Sequence, residues 1–159
     1  MYRVSSWQRT FRHEPPPVLA LFCVDGRYSR YIDEFLESHL RLEGADWLAV
    51  PGGPAALADR SAAEGDADYV WREIEFLVNA HRHTRALLVC HEHCGHYDRV
   101  LEHAGSPEER AEAQKADALL AASRLTERFP DLQVEVFWQH ADDHAVYFER
   151  VKAESVDAT

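Results

Sequence analysis

The sequence has 159 residues, of which 46% are hydrophobic and 28% are charged. We expect one globular domain that buries roughly 70% of the surface of its unfolded chain. The composition excludes the disordered, collagen-like and coiled-coil classes of protein. Seventeen Lys and Arg against 28 Asp and Glu give a formal net charge of −11, which repels phosphate backbones and anionic lipids, so we expect no nucleic acid and no membrane as partner. Three cysteines, an odd number, favour reduced thiols over a disulfide framework.

The chain shows no pattern of a membrane anchor or of export. No segment approaches the roughly 18 consecutive apolar residues of a membrane span, and residues 1–7 lack the apolar stretch of a secretory signal, so we expect a cytoplasmic protein. Three arginines and a run of prolines in residues 1–17 indicate an arm that lies on a neighbouring surface. We therefore divide the chain into this arm, a single domain at residues 18–153 and a frayed tail at residues 154–159.

Two short apolar runs in the first third of the chain are typical of strands buried in a parallel sheet. Residues 18–24 form one continuous run, and residues 47–50 form another, which a Pro-Gly-Gly-Pro turn at 51–54 ends. Between them, apolar residues at helical spacing predict an amphipathic helix over residues 32–40, with Gly44 as its stop.

The middle of the chain continues this alternation. Residues 55–66 are small and polar and predict a loop or a loosely held helix. Apolar residues from Val70 to Val78 then indicate a firmer helix. A third continuous apolar run at residues 86–90 predicts a third buried strand.

The last third predicts one long helix and a hairpin. Ser106, followed by a proline and Glu109, has the capping-box pattern and predicts the start of a helix that runs to about residue 129. Apolar segments at residues 134–138 and 145–148, joined through acidic residues, predict a hairpin. The whole order indicates an α/β fold with a mostly parallel central sheet, flanking helices and a C-terminal hairpin.

Two of the predicted strands end in metal-ligating residues. Cys23 ends the first strand, and His91 and Cys94, three residues apart, follow the third. In open α/β sheets, ligands bind outside the carboxyl ends of the strands. Two thiolates and an imidazole suit Zn²⁺, and three protein ligands with one open position are typical of catalytic zinc. The sequence therefore predicts a zinc site within residues 18–153.

Asp25 and Arg27 follow Cys23 directly and give this site a carboxylate and a guanidinium. Zn²⁺ with two thiolates is formally neutral and acidifies a bound water less than an all-imidazole site does. A carboxylate that accepts a hydrogen bond from the water orients it, and Arg27 holds Asp25 ionised. These residue types therefore predict that Asp25 orients a bound water and that Arg27 keeps Asp25 ionised.

The segments Cys23-Val24-Asp25-Gly26-Arg27 and His91-Glu92-His93-Cys94-Gly95 resemble the C-x-D-x-R and H-x-x-C-G motifs of the β-class carbonic anhydrases. The resemblance covers roughly residues 18–100. It implies a parallel-sheet α/β fold, a homodimer or higher homo-oligomer, zinc held by Cys23, His91 and Cys94, and a catalytic dyad of Asp25 and Arg27.

The same resemblance implies reversible hydration of carbon dioxide, a small-molecule substrate, to bicarbonate by a zinc-bound hydroxide. It also implies an alternative state in which Asp25 leaves Arg27 and becomes a fourth zinc ligand. The chain departs from the family pattern at Val50-Pro51-Gly52-Gly53, where Arg-Asn-Ala-Gly is usual. Two other hypotheses therefore stay open: hydrolysis of carbonyl sulfide or carbon disulfide, and a non-catalytic zinc-binding protein with Asp25 closing the coordination shell.

The remaining cysteine and the histidines have simpler interpretations. We expect Cys90 to pack as a small hydrophobe in the third strand. His93 and His96 are expected to be exposed loop residues, with proton transfer as the alternative. His81 and His83, near a predicted helix end, are expected to be structural.

Overall fold

A computed structural model describes residues 10–102 and 105–153 of the chain. The first nine residues of the predicted arm and the predicted tail at 154–159 lie outside the described residues. Within the described part, no helix combines the length and the apolar character needed to cross a bilayer. The strands and helices, in chain order, are β1 (Leu19–Cys23), α1 (Gly26–Ser29), α2 (Ile32–Ser38), β2 (Asp46–Val50), a 3₁₀ helix (Gly53–Ala58), α3 (Asp66–His81), β3 (Arg85–His91), α4 (Gly95–Val100), α5 (Pro107–Arg128), β4 (Gln133–Ala141) and β5 (Val146–Val151).

The strands form one five-stranded sheet in the order β2-β1-β3-β4-β5. The first four strands are parallel, and β5 is antiparallel to β4. β1 and β3 are direct neighbours, so their carboxyl ends meet at one edge of the sheet. The predicted α/β fold with a mostly parallel sheet and a C-terminal hairpin is confirmed.

Both faces of the sheet are buried, which explains the continuous apolar runs in the sequence. On one face, Leu19 and Leu21 join a core with α3, α5 and the 3₁₀ helix. On the other face, Ala20 and Phe22 pack with Phe35 of α2. Alternate residues of β1 therefore point into two different cores, and neither face of this strand requires a polar position.

Several short elements differ from the predictions. The helix predicted over 32–40 ends at Ser38, and Gly44 lies beyond it, in the connection to β2. Residues 55–58, predicted to be a loop or a loosely held helix, belong to the 3₁₀ helix Gly53–Ala58, which is buried at every residue. α1 and α4, which the sequence analysis did not predict, have only four and six residues. Such short helices show too few turns for an apolar period to be visible.

The two local signals in the last third are confirmed. The Ser106 side chain accepts a hydrogen bond from the Glu109 backbone N–H at 3.1 Å, and the Glu109 carboxylate accepts one from the Ser106 N–H at 2.6 Å. This capping box begins α5. In the hairpin turn, the Asp142 carboxylate accepts hydrogen bonds from the backbone N–H groups of His144 and Ala145.

Candidate metal centre

Cys23, His91 and Cys94 come together at the carboxyl edge of the sheet. Cys23 is the last residue of β1 and His91 the last residue of β3. Cys94 stands at the N-cap of α4, after a turn in which His93 has a left-handed φ of 51°. The possible ligand atoms of the three residues all lie within 4.8 Å of one another, and all three residues are buried.

The spacing of the two sulfurs fits a tetrahedral zinc ion. The Cys23 Sγ and Cys94 Sγ atoms are 3.9 Å apart. Two sulfurs bound to one tetrahedral Zn²⁺ at about 2.3 Å would be about 3.8 Å apart. The strand ends and the spacing of these residues predicted this donor set, and the distance between the two sulfurs suits Zn²⁺.

The imidazole of His91 is oriented so that its Nε2 atom can bind a metal ion. Its Nδ1–H donates to the Glu92 backbone carbonyl at 2.7 Å, which fixes the tautomer and leaves a lone pair on Nε2. The Nε2 atom is buried and has no hydrogen-bond partner in the protein. Buried polar atoms are rarely left unpaired, so a metal ion at this position would satisfy an otherwise orphaned acceptor.

The two thiols influence each other's ionisation. The hydrogen bond from Cys94 lowers the pKa of the Cys23 thiol, and His91 and the Asp25 backbone lower it further. The hydrogen bond to Cys23 and burial raise the pKa of the Cys94 thiol. The protein groups thus favour one thiolate beside one thiol, and a bound divalent cation is what allows both sulfurs to ionise.

Asp25 and Arg27 form a close ion pair beside Cys23. Asp25 is the N-cap of α1, and its carboxylate accepts a hydrogen bond from the Arg27 backbone N–H at 3.0 Å. The Arg27 guanidinium donates through Nε to Oδ1 at 3.0 Å and through Nη2 to Oδ2 at 2.6 Å. The hydrogen bonds from the Arg27 side chain lower the pKa of the Asp25 carboxyl to about 2. Asp25 is therefore ionised at neutral pH and can only accept hydrogen bonds.

Three further residues support the donors and were not predicted from the sequence. The Tyr28 ring stacks on His91 with centroids 4.1 Å apart. Gln139 pairs with His91 in the β3–β4 register, and its side-chain amide donates to the Tyr28 carbonyl at 3.0 Å. The Gly52 backbone N–H donates to Cys23 Sγ at 3.4 Å. One signal was visible: Gln139 is a polar residue directly after the apolar segment of β4, at the edge where the donors meet.

Gly52 and Gly53 bring the 3₁₀ helix close to the metal centre. Both have positive φ, 76° and 56°. A Cβ on Gly52 would lie 2.4 Å from the His96 ring, and a Cβ on Gly53 would lie 3.0 Å from the Cys23 backbone nitrogen. The segment that departs from the family pattern therefore uses two glycines to approach Cys23 and His96.

The prediction that His96 is an exposed loop residue is wrong. His96 lies in the first turn of α4 and is buried, because the Gly52 backbone covers its ring. Its Nε2–H donates to the Arg60 carbonyl at 2.8 Å. His93 is exposed, as expected. The Cys90 side chain is buried in the main core, which confirms its packing role, and burial raises the pKa of its thiol to about 12.

This sheet, with its donors at the carboxyl edge, is the β-class carbonic anhydrase fold. The chain is similar to CafA, the β-carbonic anhydrase of the fungal pathogen Aspergillus fumigatus, at 13% identity over 87% of this chain and 76% of that one, with a TM-score of 0.56. The chain is also similar to the β-carbonic anhydrase CcaA, at 16% identity over 90% of this chain and 80% of that one, with a TM-score of 0.52. For β-carbonic anhydrase isoform I of the protozoan Trichomonas vaginalis, the identity is 14% over 90% of this chain and 87% of that one, with a TM-score of 0.50. At these identities the likeness shows the fold alone.

A protein-family model described as "Putative carbonic anhydrase" matches residues 15–149. The chain belongs to this carbonic anhydrase family. No curated protein sequence matches the chain.

Proposed function

We propose that this protein is a zinc-dependent enzyme that reversibly hydrates carbon dioxide to bicarbonate. The observation that carries the proposal is the pairing of Asp25 with Arg27 beside a buried donor set of two thiols and one imidazole. Family membership supports the same reaction.

Cys23, His91 and Cys94 would hold the zinc ion, which leaves one position of a tetrahedral shell for a non-protein ligand. When bound, zinc would supply the Lewis acidity that lowers the pKa of a water ligand. The two thiolates cancel the charge of the ion. The neighbouring charges of Asp25 and Arg27 therefore contribute most of the local field.

Asp25 acts as a fixed hydrogen-bond acceptor for the attacking group. Because Arg27 keeps the carboxylate ionised, Asp25 accepts a hydrogen bond from the attacking group. This hydrogen bond directs a lone pair of the attacking group toward the substrate. Arg27 acts as a positioning residue, since its side chain contacts both carboxylate oxygens. The hydrogen bond from the Arg27 backbone N–H adds a further restraint on the carboxylate.

The same pairing distinguishes this proposal from the non-catalytic alternative. Asp25 can close a zinc shell only after it leaves the hydrogen bonds to Arg27. Among the described residues, the group of mutually close ligand atoms at this edge contains Cys23, His91 and Cys94 without Asp25. This arrangement favours the catalytic hypothesis.

The activity is tested by stopped-flow hydration of carbon dioxide with zinc-loaded protein. We expect a rate that rises with pH and falls at least about 100-fold in Asp25→Ala, since loss of an oriented acid–base group costs about 10²–10⁴. Asp33→Ala, which removes an exposed carboxylate of α2, is the matched control and should retain the rate. Zinc-loaded protein without hydration at any pH would contradict the proposal. Sulfide release from carbonyl sulfide or carbon disulfide would then identify the alternative substrate.

We further infer a homodimer or larger homo-oligomer, because two large apolar side chains are exposed close to the metal centre and on the sheet edge. Val24, directly after Cys23, is 50% exposed, and Trp47 of the edge strand β2 is 45% exposed. Light scattering tests this. Trp47→Glu should lower the mass, whereas Asn79→Glu, at an exposed polar position of α3, should not. A monomeric wild-type protein would contradict the inference.

A further inference from the structure

Asp46, His81 and His83 form a second cluster of metal-ligating side chains at the opposite edge of the sheet. Asp46 is the first residue of β2 and pairs with Leu19, whereas Cys23 pairs with Val50, four residues further along both strands. At about 3.3 Å per residue, four residues correspond to about 13 Å. This cluster is therefore separate from the Cys23, His91 and Cys94 centre.

The chain brings both imidazoles to one carboxylate oxygen. The His81 Nδ1 atom contacts Asp46 Oδ2, and the His83 Nε2 atom lies 2.7 Å from the same oxygen. His81 is the last residue of α3, and Arg82, at a left-handed φ of 55°, turns the chain so that His83 faces the same carboxylate. The three possible ligand atoms lie within 4.8 Å of one another.

We propose that Asp46, His81 and His83 bind a second divalent transition-metal ion. Two imidazole nitrogens and a carboxylate oxygen are a ligand set that binds Zn²⁺ and other first-row ions in proteins. The absence of a thiolate from this set favours a borderline ion such as Zn²⁺, Co²⁺ or Ni²⁺ over a soft one. His81 and His83 were expected from the sequence to be structural, and the proposal adds a ligand role for both.

The surroundings of the cluster suit a cation with open positions. The side chains of His83, Asp46 and His81 are 0%, 18% and 34% exposed, so one side is enclosed and the other can take water ligands. The carbonyl groups at the C-terminus of α3 favour positive charge beside His81.

The ion would join three parts of the chain. Asp46 begins β2, His81 ends α3 and His83 lies in the connection to β3. A ligand that binds only the folded protein stabilises it by mass action. The ion therefore acts as a clamp at the amino edge of the sheet and takes no part in the chemistry at the carboxyl edge.

The test is the metal content of the tag-free full chain after saturation with Zn²⁺ and removal of unbound metal. We expect about two zinc ions per chain in the wild type and about one in His81→Ala and in Asp46→Asn, since each variant removes a ligand of one site. His144→Ala, at an exposed position of the hairpin turn, should keep about two. The proposal would be overturned if the wild-type protein bound only one zinc ion and the Cys94→Ala variant bound none. Two ions retained in the Asp46→Asn, His81→Ala double variant would also overturn it.

Co²⁺ gives a second readout that separates the two sites. Co²⁺ at Cys23 and Cys94 absorbs through sulfur-to-metal charge transfer, and Co²⁺ at the nitrogen and oxygen ligands does not. We expect a second equivalent that adds visible ligand-field absorption without sulfur charge transfer and that is lost in His81→Ala. Carbon dioxide hydration should be unchanged in His81→Ala, so a failure of the proposed enzyme activity and a failure of this second site give different results.

Discussion

The backbone N–H of Gly52 donates a hydrogen bond to the Sγ of Cys23 at 3.4 Å, across the junction between the 3₁₀ helix and the end of β1. This contact links the segment that departs from the family pattern to a proposed zinc ligand. N–H donors to a metal-bound sulfur belong to the outer shell that tunes a metal centre. The position of Gly52 therefore affects both folding and the properties of the site.

Gly52→Ala should destabilise the protein by about 2–5 kcal/mol. Left-handed backbone costs a non-glycine residue roughly 1–2 kcal/mol, and overlap in a packed region adds about 1–3 kcal/mol. The new Cβ would meet the His96 ring. We also expect weaker zinc binding, because the N–H must move away from Cys23. Urea unfolding and a chelator competition measure the two effects.

Gly65→Ala is the matched control for this substitution. Gly65 has a φ of 87°, similar to that of Gly52, but a Cβ there would meet no atom within 4 Å. Gly65→Ala should lower the free energy of unfolding only by the backbone contribution of roughly 1–2 kcal/mol, and it should leave the zinc affinity unchanged. Equal costs in the two variants would show that the contact with His96 is unimportant.

Tyr97→Phe tests the buried network beneath α4. The Tyr97 hydroxyl donates to the Asp117 carboxylate at 3.0 Å, and Arg60 Nε donates to the same oxygen at 2.9 Å. Because Arg60 still pairs with Asp117 in the variant, we expect the free energy of unfolding to fall by about 1.5–3 kcal/mol, the value of one hydrogen bond to a charged group. Tyr69→Phe, at an exposed position of α3, should change the free energy of unfolding by less than about 0.5 kcal/mol. Urea denaturation of both variants provides the comparison.

The strands and the donors were predictable because their signals are local. β1 and β3 are continuous apolar runs, and the carboxyl ends of neighbouring parallel strands meet at one edge. The contacts around the donors were not predictable, since they join distant segments: Gln139 reaches the carbonyl of Tyr28, 111 residues earlier in the chain. The cluster of Asp46 with His81 was missed for the same reason. Its residues lie on different elements, and only the packing of α3 against β2 brings them together.

Arg27→Ala should lower carbon dioxide hydration at least about 10-fold while Cys23, His91 and Cys94 remain in place, because an oriented charge partner is worth roughly 1.5–3 kcal/mol. The substitution removes all side-chain hydrogen bonds from Arg27 to Asp25. The freed carboxylate can then approach the metal, and X-ray absorption of the zinc-loaded variant should show an added protein oxygen ligand. Arg30→Ala, which removes an exposed guanidinium that contacts Tyr31, should leave both measurements unchanged. A fully active Arg27→Ala would remove the positioning role.

Cys90 should resist alkylation in the folded protein at neutral pH. Its thiol is buried, and burial raises its pKa to about 12. The thiolate is the reactive form, so almost none is present below that value. Mass spectrometry after iodoacetamide treatment should find Cys90 unmodified in buffer and modified in concentrated urea. Labelling of Cys90 at the same rate in both would contradict its place in the core.

The same shift makes Cys90 a source of alkaline destabilisation. The pKa of the Cys90 thiol is 9.0 in the unfolded chain and about 12 in the folded protein. Between these two pH values, the unfolded chain releases a proton that the folded protein retains. Stability falls with pH wherever the folded state binds more protons. The contribution of Cys90 is therefore fully present below pH 9 and is lost as the pH rises toward 12. Burial also raises the pKa of Tyr97, so Cys90→Ala should flatten only part of the alkaline slope of the free energy of unfolding. Urea denaturation of both proteins at a series of pH values above 8 measures the difference, and parallel curves would rule out the contribution of Cys90.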